Sequence, residues 1–314
     1  MINILLIFWI ISAIFIIREK KIYRMIIFLG IFSLINSAIF LVLGAPDVSL
    51  SEAAAGAFTT IFLIICLEKY YGFDESLVVT KKKEKTNFIK ALLPIIFSGV
   101  LFLLFWYFMP PFTYNSYMKY QYLTYFNQDV GSHNPVTTVY LGYRVYDTLF
   151  EALILLVSVV AVKHVSWYSD SYVKDGEHST IESNPIASYT IRAISPLVLL
   201  FGISMISVGL DTPGGGFQGG VVIASFFICR YMIYNVYDIP VKLITLIEKL
   251  IFVSIFLIPI FVVFVGLRTL VPETNLVVFQ NIYIVLMNSL IGMKVTCGFV
   301  ILFYRYIVVD RRTC

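Results

Sequence analysis

Apolar residues dominate nine stretches of the chain, at 2 to 17, 23 to 43, 48 to 67, 89 to 109, 147 to 165, 191 to 210, 217 to 236, 243 to 265 and 281 to 308. A bilayer core about 30 Å thick requires roughly 20 mainly apolar residues of helix to cross it, and most of these stretches reach that length. Few segments show the ten-residue alternation of a membrane strand. The pattern predicts an all-α fold: a polytopic transmembrane helical bundle of about nine spans.

The polar segments between the stretches carry the topology. Assigning the connections at 18 to 24, 68 to 90, 163 to 192 and 230 to 242, together with Lys249 and the carboxyl-terminal residues from Arg305, to one side places nineteen of the 23 Lys and Arg there. Lys119, Arg144 and Arg268 fall on the other side, and Lys294 lies inside a span. Cytoplasmic loops carry the excess of basic residues, so the N-terminus is expected outside and the C-terminus in the cytoplasm of a multi-pass cell-membrane protein. The first stretch has no basic leader or small-residue cleavage site and reads as a retained span. Long polar connections divide the chain into modules of three spans (1 to 87), two spans (88 to 187) and four spans (188 to 314).

Composition agrees with this reading. Of 314 residues 59% are hydrophobic and 13% charged, with mean hydropathy +0.88, against roughly 25% charged in a soluble domain. The net charge of +4 follows from the loop lysines and arginines and gives no nucleic-acid footprint. Cys66, Cys229, Cys297 and Cys314 have no CxxC spacing, so neither a metal nor an iron-sulfur site is expected. No HExxH, GxSxG or phosphate-loop motif is present, and no cofactor is expected. Whether the chain serves an enzyme is left open, as a non-catalytic subunit of an ion-translocating oxidoreductase.

Chemistry is then left to polar residues at membrane depth. In GAPDVSLSEAAAGAFTT, residues 44 to 60, Asp47 and Glu52 stand at the head of a span, and Ser49-x-x-Glu52 has the form of a capping box. A carboxyl one turn below the surface can also exchange protons. The stretch DTLFEA, residues 147 to 152, repeats the arrangement: Thr148-x-x-Glu151 is again a box, Asp147 and Glu151 share a helix face, and Arg144 is placed to pair with Asp147. For both, capping and relay remain open. DTPGGGFQGG, residues 211 to 220, with Pro213, Gly214, Gly215 and Gly216, predicts an irregular start to a span, either a plain tight turn or a lining for a wet cavity. Gly216 and Gly220 offer a close-packing face. Lys294, far from either end of its span, requires a carboxylate partner or water, and is a candidate for proton movement. Pro196 and Pro259 are expected to kink their spans, and Asn36 and Asn288 to hydrogen-bond between helices.

These segments resemble a known family. GAPDVSLSEAAAGAFTT is similar to the GAPDVAxTEAAVGA signature of a small module found in the carboxyl-terminal part of the large Mrp antiporter subunit and in membrane-bound hydrogenases. NPVTTVYLGYRVYDTLFEALILL resembles the next module, whose pattern is close to N-x-V-T-A...DxRxxDTLxE. SPLVLLFGISMISVGLDTPGGGFQGGVVIAS, with NSLIGMKVTCGFVIL, resembles the four-span B subunit of Mrp-type sodium/proton antiporters. The resemblance implies a fusion of three modules in which Asp47, Glu52, Asp147, Glu151, Pro213, Gly214, Gly215, Gly216, Phe217 and Lys294 occupy signature positions. Gly142 and Tyr143 stand where the family has an acidic residue before Arg144.

The expectation is a membrane subunit of a multi-subunit cation/proton antiporter. Its implied partners are other membrane subunits, sodium ions and protons within the lipid bilayer, and no nucleic acid. Two alternatives stand beside it: a membrane-arm subunit of a hydrogenase or ferredoxin/NAD-linked pump, and a structural scaffold without its own ion path.

Overall fold

A computed structural model describes residues 2–71, 88–108, 116–165, 185–234, 241–262 and 276–307. They form α1 (Ile2–Arg18), α2 (Ile22–Val42), α3 (Pro46–Tyr71), α4 (Phe88–Phe108), α5 (Ser116–Val130), α6 (Pro135–Thr138), a π-helical turn (Val139–Tyr143), α7 (Val145–Val165), α8 (Pro185–Val208), α9 (Gly216–Tyr234), α10 (Val241–Phe261) and α11 (Leu276–Ile307). Among the described residues, six helices are long and apolar enough to cross a membrane: α2, α3, α7, α8, α10 and α11. The apolar parts of α1 and α4 are shorter. The first turn of α9, GFQGG, dilutes its apolar run.

α11 is the centre of the bundle. Over its most apolar window 56% of residues are buried, against at most 28% in the other spans. It packs against α9, α10, α7 and α8, and touches α3 and α5. Met287, Ile291, Val295 and Phe303 of α11 join Val221, Ala224 and Ile228 of α9 and Ile251 and Ile255 of α10 in one apolar core.

Glycine sets how closely these helices approach. A Cβ on Gly216 would stand 2.5 Å from the Asn288 carbonyl oxygen, and one on Gly220 2.6 Å from that of Gly292, both on α11. A Cβ on Gly219, facing the other way, would stand 2.7 Å from the Gly202 oxygen of α8. α9 is thus pressed between two backbones, and its small-residue faces do in lipid what apolar burial does in water.

At the other end of the chain α1, α2 and α3 form a meander. Trp9 stacks on Phe32 at 5.0 Å and Phe15 on Phe28 at 5.6 Å. α2 closes on Gly44, whose φ of +77° suits the left-handed residue after a helix end. The amides of Gly44 and Ala45 then bond back to Leu41 and Phe40. Along the α2–α3 seam Ser37 Oγ donates to the Ser49 carbonyl at 2.8 Å.

The segment at 116 to 143 departs from the sequence reading. Expected as a polar connection, it contains α5, α6 and the π-helical turn. SYMKYQYLTYFNQDV draws its apolar surface from tyrosine and so gives little hydropathy signal. Tyr122 of α5 packs on Tyr143 at 4.9 Å.

Candidate functional site

Two buried polar centres meet on α11 and α9. The first gathers at the head of α3, where Pro46 opens the helix and Asp47 lies in its first turn. An acidic residue there complements the helix dipole, yet this carboxylate also reaches across the molecule. Its Oδ1 accepts from the Gly214 amide at 3.0 Å and from Asn134 Nδ2 at 3.3 Å. Gln218 Nε2 donates to the Asp47 carbonyl at 3.4 Å.

The surrounding residues fix the glycine-rich turn. Asn134 caps α6 by accepting from the Val136 amide at 2.9 Å, and its Nδ2 also donates to the Thr212 carbonyl at 3.0 Å. Ser132 Oγ donates to the Leu210 carbonyl at 2.8 Å, and Thr137 Oγ1 to that of Gly209 at 2.6 Å. Gly214 has φ +155° and lies against Met205, so the turn needs glycine for conformation as well as space. Tyr140 Oη donates to Asn288 Oδ1 at 2.8 Å, and that oxygen also accepts from the Gly216 amide at 3.3 Å. Burial pushes the Tyr140 phenol up to about 12, so it stays a donor at neutral pH.

The second centre is an ion pair inside the bundle. Lys294 of α11 and Glu248 of α10 are 1% and 0% exposed, and Lys294 Nζ donates to Glu248 Oε1. Phe252, four residues on from Glu248, places its ring 5.4 Å from Nζ. Glu248 Oε2 is buried without a hydrogen-bond partner among the described residues. A small crevice, about 30 Å³ for a water-sized molecule, adjoins Lys294 and is lined also by Thr148, Glu151, Phe217 and Ile291. That volume accommodates a water molecule.

The sequence-derived residues thus separate into groups. Glu151, Phe217 and Lys294 share the crevice, while Asp47, Gly214, Gly215 and Gly216 share the turn. Gly215 donates its amide to the Met205 carbonyl at 3.1 Å, and Pro213 is exposed. Glu52 lies at the α2–α3 seam, accepting from Ser33 Oγ at 2.8 Å. Asp147 is exposed and pairs with Arg144 at 2.5 Å.

Both capping boxes are corrected. α3 begins at Pro46, so Ser49 lies inside the helix and its hydroxyl meets that of Ser37 at 3.0 Å. α7 begins at Val145, and Thr148 Oγ1 donates to the Tyr140 carbonyl at 2.6 Å. Each helix starts four residues earlier than its box requires, so the hydroxyls bond to neighbouring elements. Glu248, Asn134 and Tyr140 were not singled out from sequence. For Glu248 the signal was present: a buried lysine requires a carboxylate, and KLITLIEKLIFV holds one amid apolar residues.

Comparison with known proteins places this geometry. Residues 7–71 match the MbhD family model, which describes the D subunit of MBH, and residues 186–301 match the domain related to the MnhB subunit of Na+/H+ antiporter. Two segments of the chain therefore carry domains of these families. The chain is 35% identical over 120 residues to an uncharacterized protein of Methanocaldococcus jannaschii, covering 32% of its own length and 44% of that protein. It therefore spans less than half the length of that relative. Its fold matches a chain of the Mrp complex from Dietzia sp. with TM-score 0.76 at 16% identity, over 99% of this chain and 35% of that one. It also matches a chain of an archaeal respiratory membrane complex, the membrane-bound sulfane sulfur reductase, with TM-score 0.56 at 26% identity, over 68% and 95% of the two chains.

Proposed function

We propose that this chain is an Mrp-type membrane subunit of a multi-subunit sodium/proton antiporter, working beside other membrane subunits in a cell membrane. In this reading Glu52, Glu151 and Lys294 take part in moving protons or cations, with Asp47 and Asp147 at the margins and Pro213 to Phe217 shaping the cavity. The observation that carries it is the crevice joining Glu151 to Lys294, between residues of the two-span and four-span modules. A buried lysine at membrane depth is unfavourable by about 2.5 to 3.5 kcal/mol on insertion scales, so a purely structural bundle is better served by an apolar residue. The membrane potential supplies the work: one charge across 100 mV is worth about 2.3 kcal/mol.

The same reading takes the chain as nine spans, N-terminus outside and C-terminus cytoplasmic, in modules 1 to 87, 88 to 187 and 188 to 314. The match of residues 7–71 to the MbhD family and the likeness to the sulfane sulfur reductase chain favour one other reading, a membrane-arm subunit of a redox-driven pump. Co-purification of iron-sulfur or nickel subunits decides between the two.

The test is ion exchange in everted membrane vesicles. Glu52→Gln, Glu151→Gln and Lys294→Met, each in an assembled complex, are expected to slow sodium-dependent proton movement. Native rates in all three variants overturn the relay.

A further inference from the structure

We propose that Glu248 is a proton-exchange residue in its own right, so that Lys294 hands a proton between Glu151 at the crevice and Glu248 in the interior. The inference rests on the antiporter reading and names a step within it.

Lys294 touches both environments: it lines the crevice, which Glu248 does not, and it bonds Glu248. Its ammonium has three donors, of which Glu248 Oε1 takes one. Glu248 Oε2 meanwhile is buried and receives no hydrogen bond from the described residues. A carboxylate oxygen left this way is expensive unless it can take a proton. On the crevice side, Thr148 and Glu151 stand with Lys294 in a lining that is otherwise apolar, and the space is large enough for one water. Phe217 of α9 contributes an apolar wall there, and Cys297, one turn along α11, lies within electrostatic reach of the pair.

The step keeps its charges balanced. It begins with a proton on Glu151, an ionised Glu248 and a charged Lys294. Lys294 gives one proton to Glu248 and takes the proton of Glu151 through a crevice water. It ends with Glu248 protonated, Glu151 ionised and Lys294 charged as before. One proton has moved inward, the three groups sum to zero before and after, and the charged lysine has an ionised carboxylate to face at the start and at the end. Without Glu248 as acceptor, releasing a proton from Lys294 leaves an unpaired buried charge.

The experiment uses the whole complex reconstituted in proteoliposomes. Glu248→Gln is expected to slow sodium/proton exchange by roughly a hundredfold, the scale of a lost proton-transfer group. Glu248→Asp is expected to restore part of it. Lys294→Arg keeps a cation beside Glu248 but holds its proton, and is expected to abolish exchange while the complex still assembles. Infrared difference spectra of the native complex between acid and neutral pH are expected to show a protonated-carboxyl C=O band that Glu248→Gln removes. Native exchange in Glu248→Gln or Lys294→Arg, or a band unchanged in Glu248→Gln, overturns the inference. Should Glu248→Gln not assemble, Glu248→Asp and Lys294→Arg decide alone. Slow exchange in Glu151→Gln with native exchange in Glu248→Gln leaves the antiporter reading standing without Glu248. A native complex with no sodium/proton exchange but a Glu248-dependent band overturns the antiporter reading and retains Glu248 as a proton acceptor.

Discussion

Lys294 and Glu248 show how a single side chain's surroundings set the value of its neighbours. Lys294→Met removes the cation and leaves the buried Glu248 carboxyl without its partner, a change worth about 3 to 5 kcal/mol of stability. Thermal unfolding of the detergent-solubilised complex checks it, and adding Glu248→Gln to Lys294→Met is expected to recover much of the loss, since the two effects are coupled. Asp47→Ala strands the Gly214 amide and removes one of the two acceptors of Asn134 Nδ2, for a loss of about 1 to 3 kcal/mol in the same assay, whereas Asp47→Asn keeps an acceptor and loses less. Tyr140 adds a pH signature: its phenol is raised from 10.0 to about 12 by burial. The stability tied to its neutral form is complete below pH 10 and declines as pH climbs toward 12, a decline expected to be missing from Tyr140→Phe. At this scale Lys294 was legible because a mid-span cation announces itself. The signal for Glu248 was masked, because beside Lys249 near a span end it reads as an interface residue, whereas α10 begins at Val241 and carries it two turns inward.

Among the elements, α9 depends most on what its residues lack. Gly216→Val or Gly220→Val forces a side chain into the α11 backbone, and Gly219→Val into that of α8. Each is expected to separate α9 from one neighbour and to lower complex yield on size-exclusion chromatography more than Gly99→Val, which has nothing within 4 Å of its Cβ position. Gly56 meets a side chain rather than a backbone: a Cβ there would stand 2.0 Å from Ser33 Oγ, the group that donates to Glu52, and 2.6 Å from Ser33 Cβ. Gly56→Ala is therefore expected to displace the Ser33 hydroxyl and weaken its hold on Glu52, detectable as an altered pH profile of exchange. The helices coinciding with apolar stretches were legible because lipid demands long apolar runs. The hydroxyl partners were not: sequence spacing offers Ser49 and Thr148 a local bond, and tertiary neighbours offered better ones. Likewise α5 escaped notice because tyrosine supplies apolar area without raising hydropathy.

For the whole molecule, the proposed topology makes the sharpest prediction. Single cysteines introduced into the 68 to 88 connection are expected to react with impermeant thiol reagents only in inside-out vesicles, and those at Tyr120 or His133 only in right-side-out ones. The reverse pattern overturns the assigned orientation. The architecture also has a history in time. Asp47 bonds Asn134, 87 residues later, and Gly214, 167 residues later. At roughly 5 to 20 residues per second, the ribosome takes about 8 to 33 seconds to deliver the second donor after the carboxylate has emerged. During that interval the head of α3 must stay in contact with water or with the insertion machinery, and the meander of α1, α2 and α3 cannot settle. Maturation of the first spans therefore waits on the synthesis of the last ones.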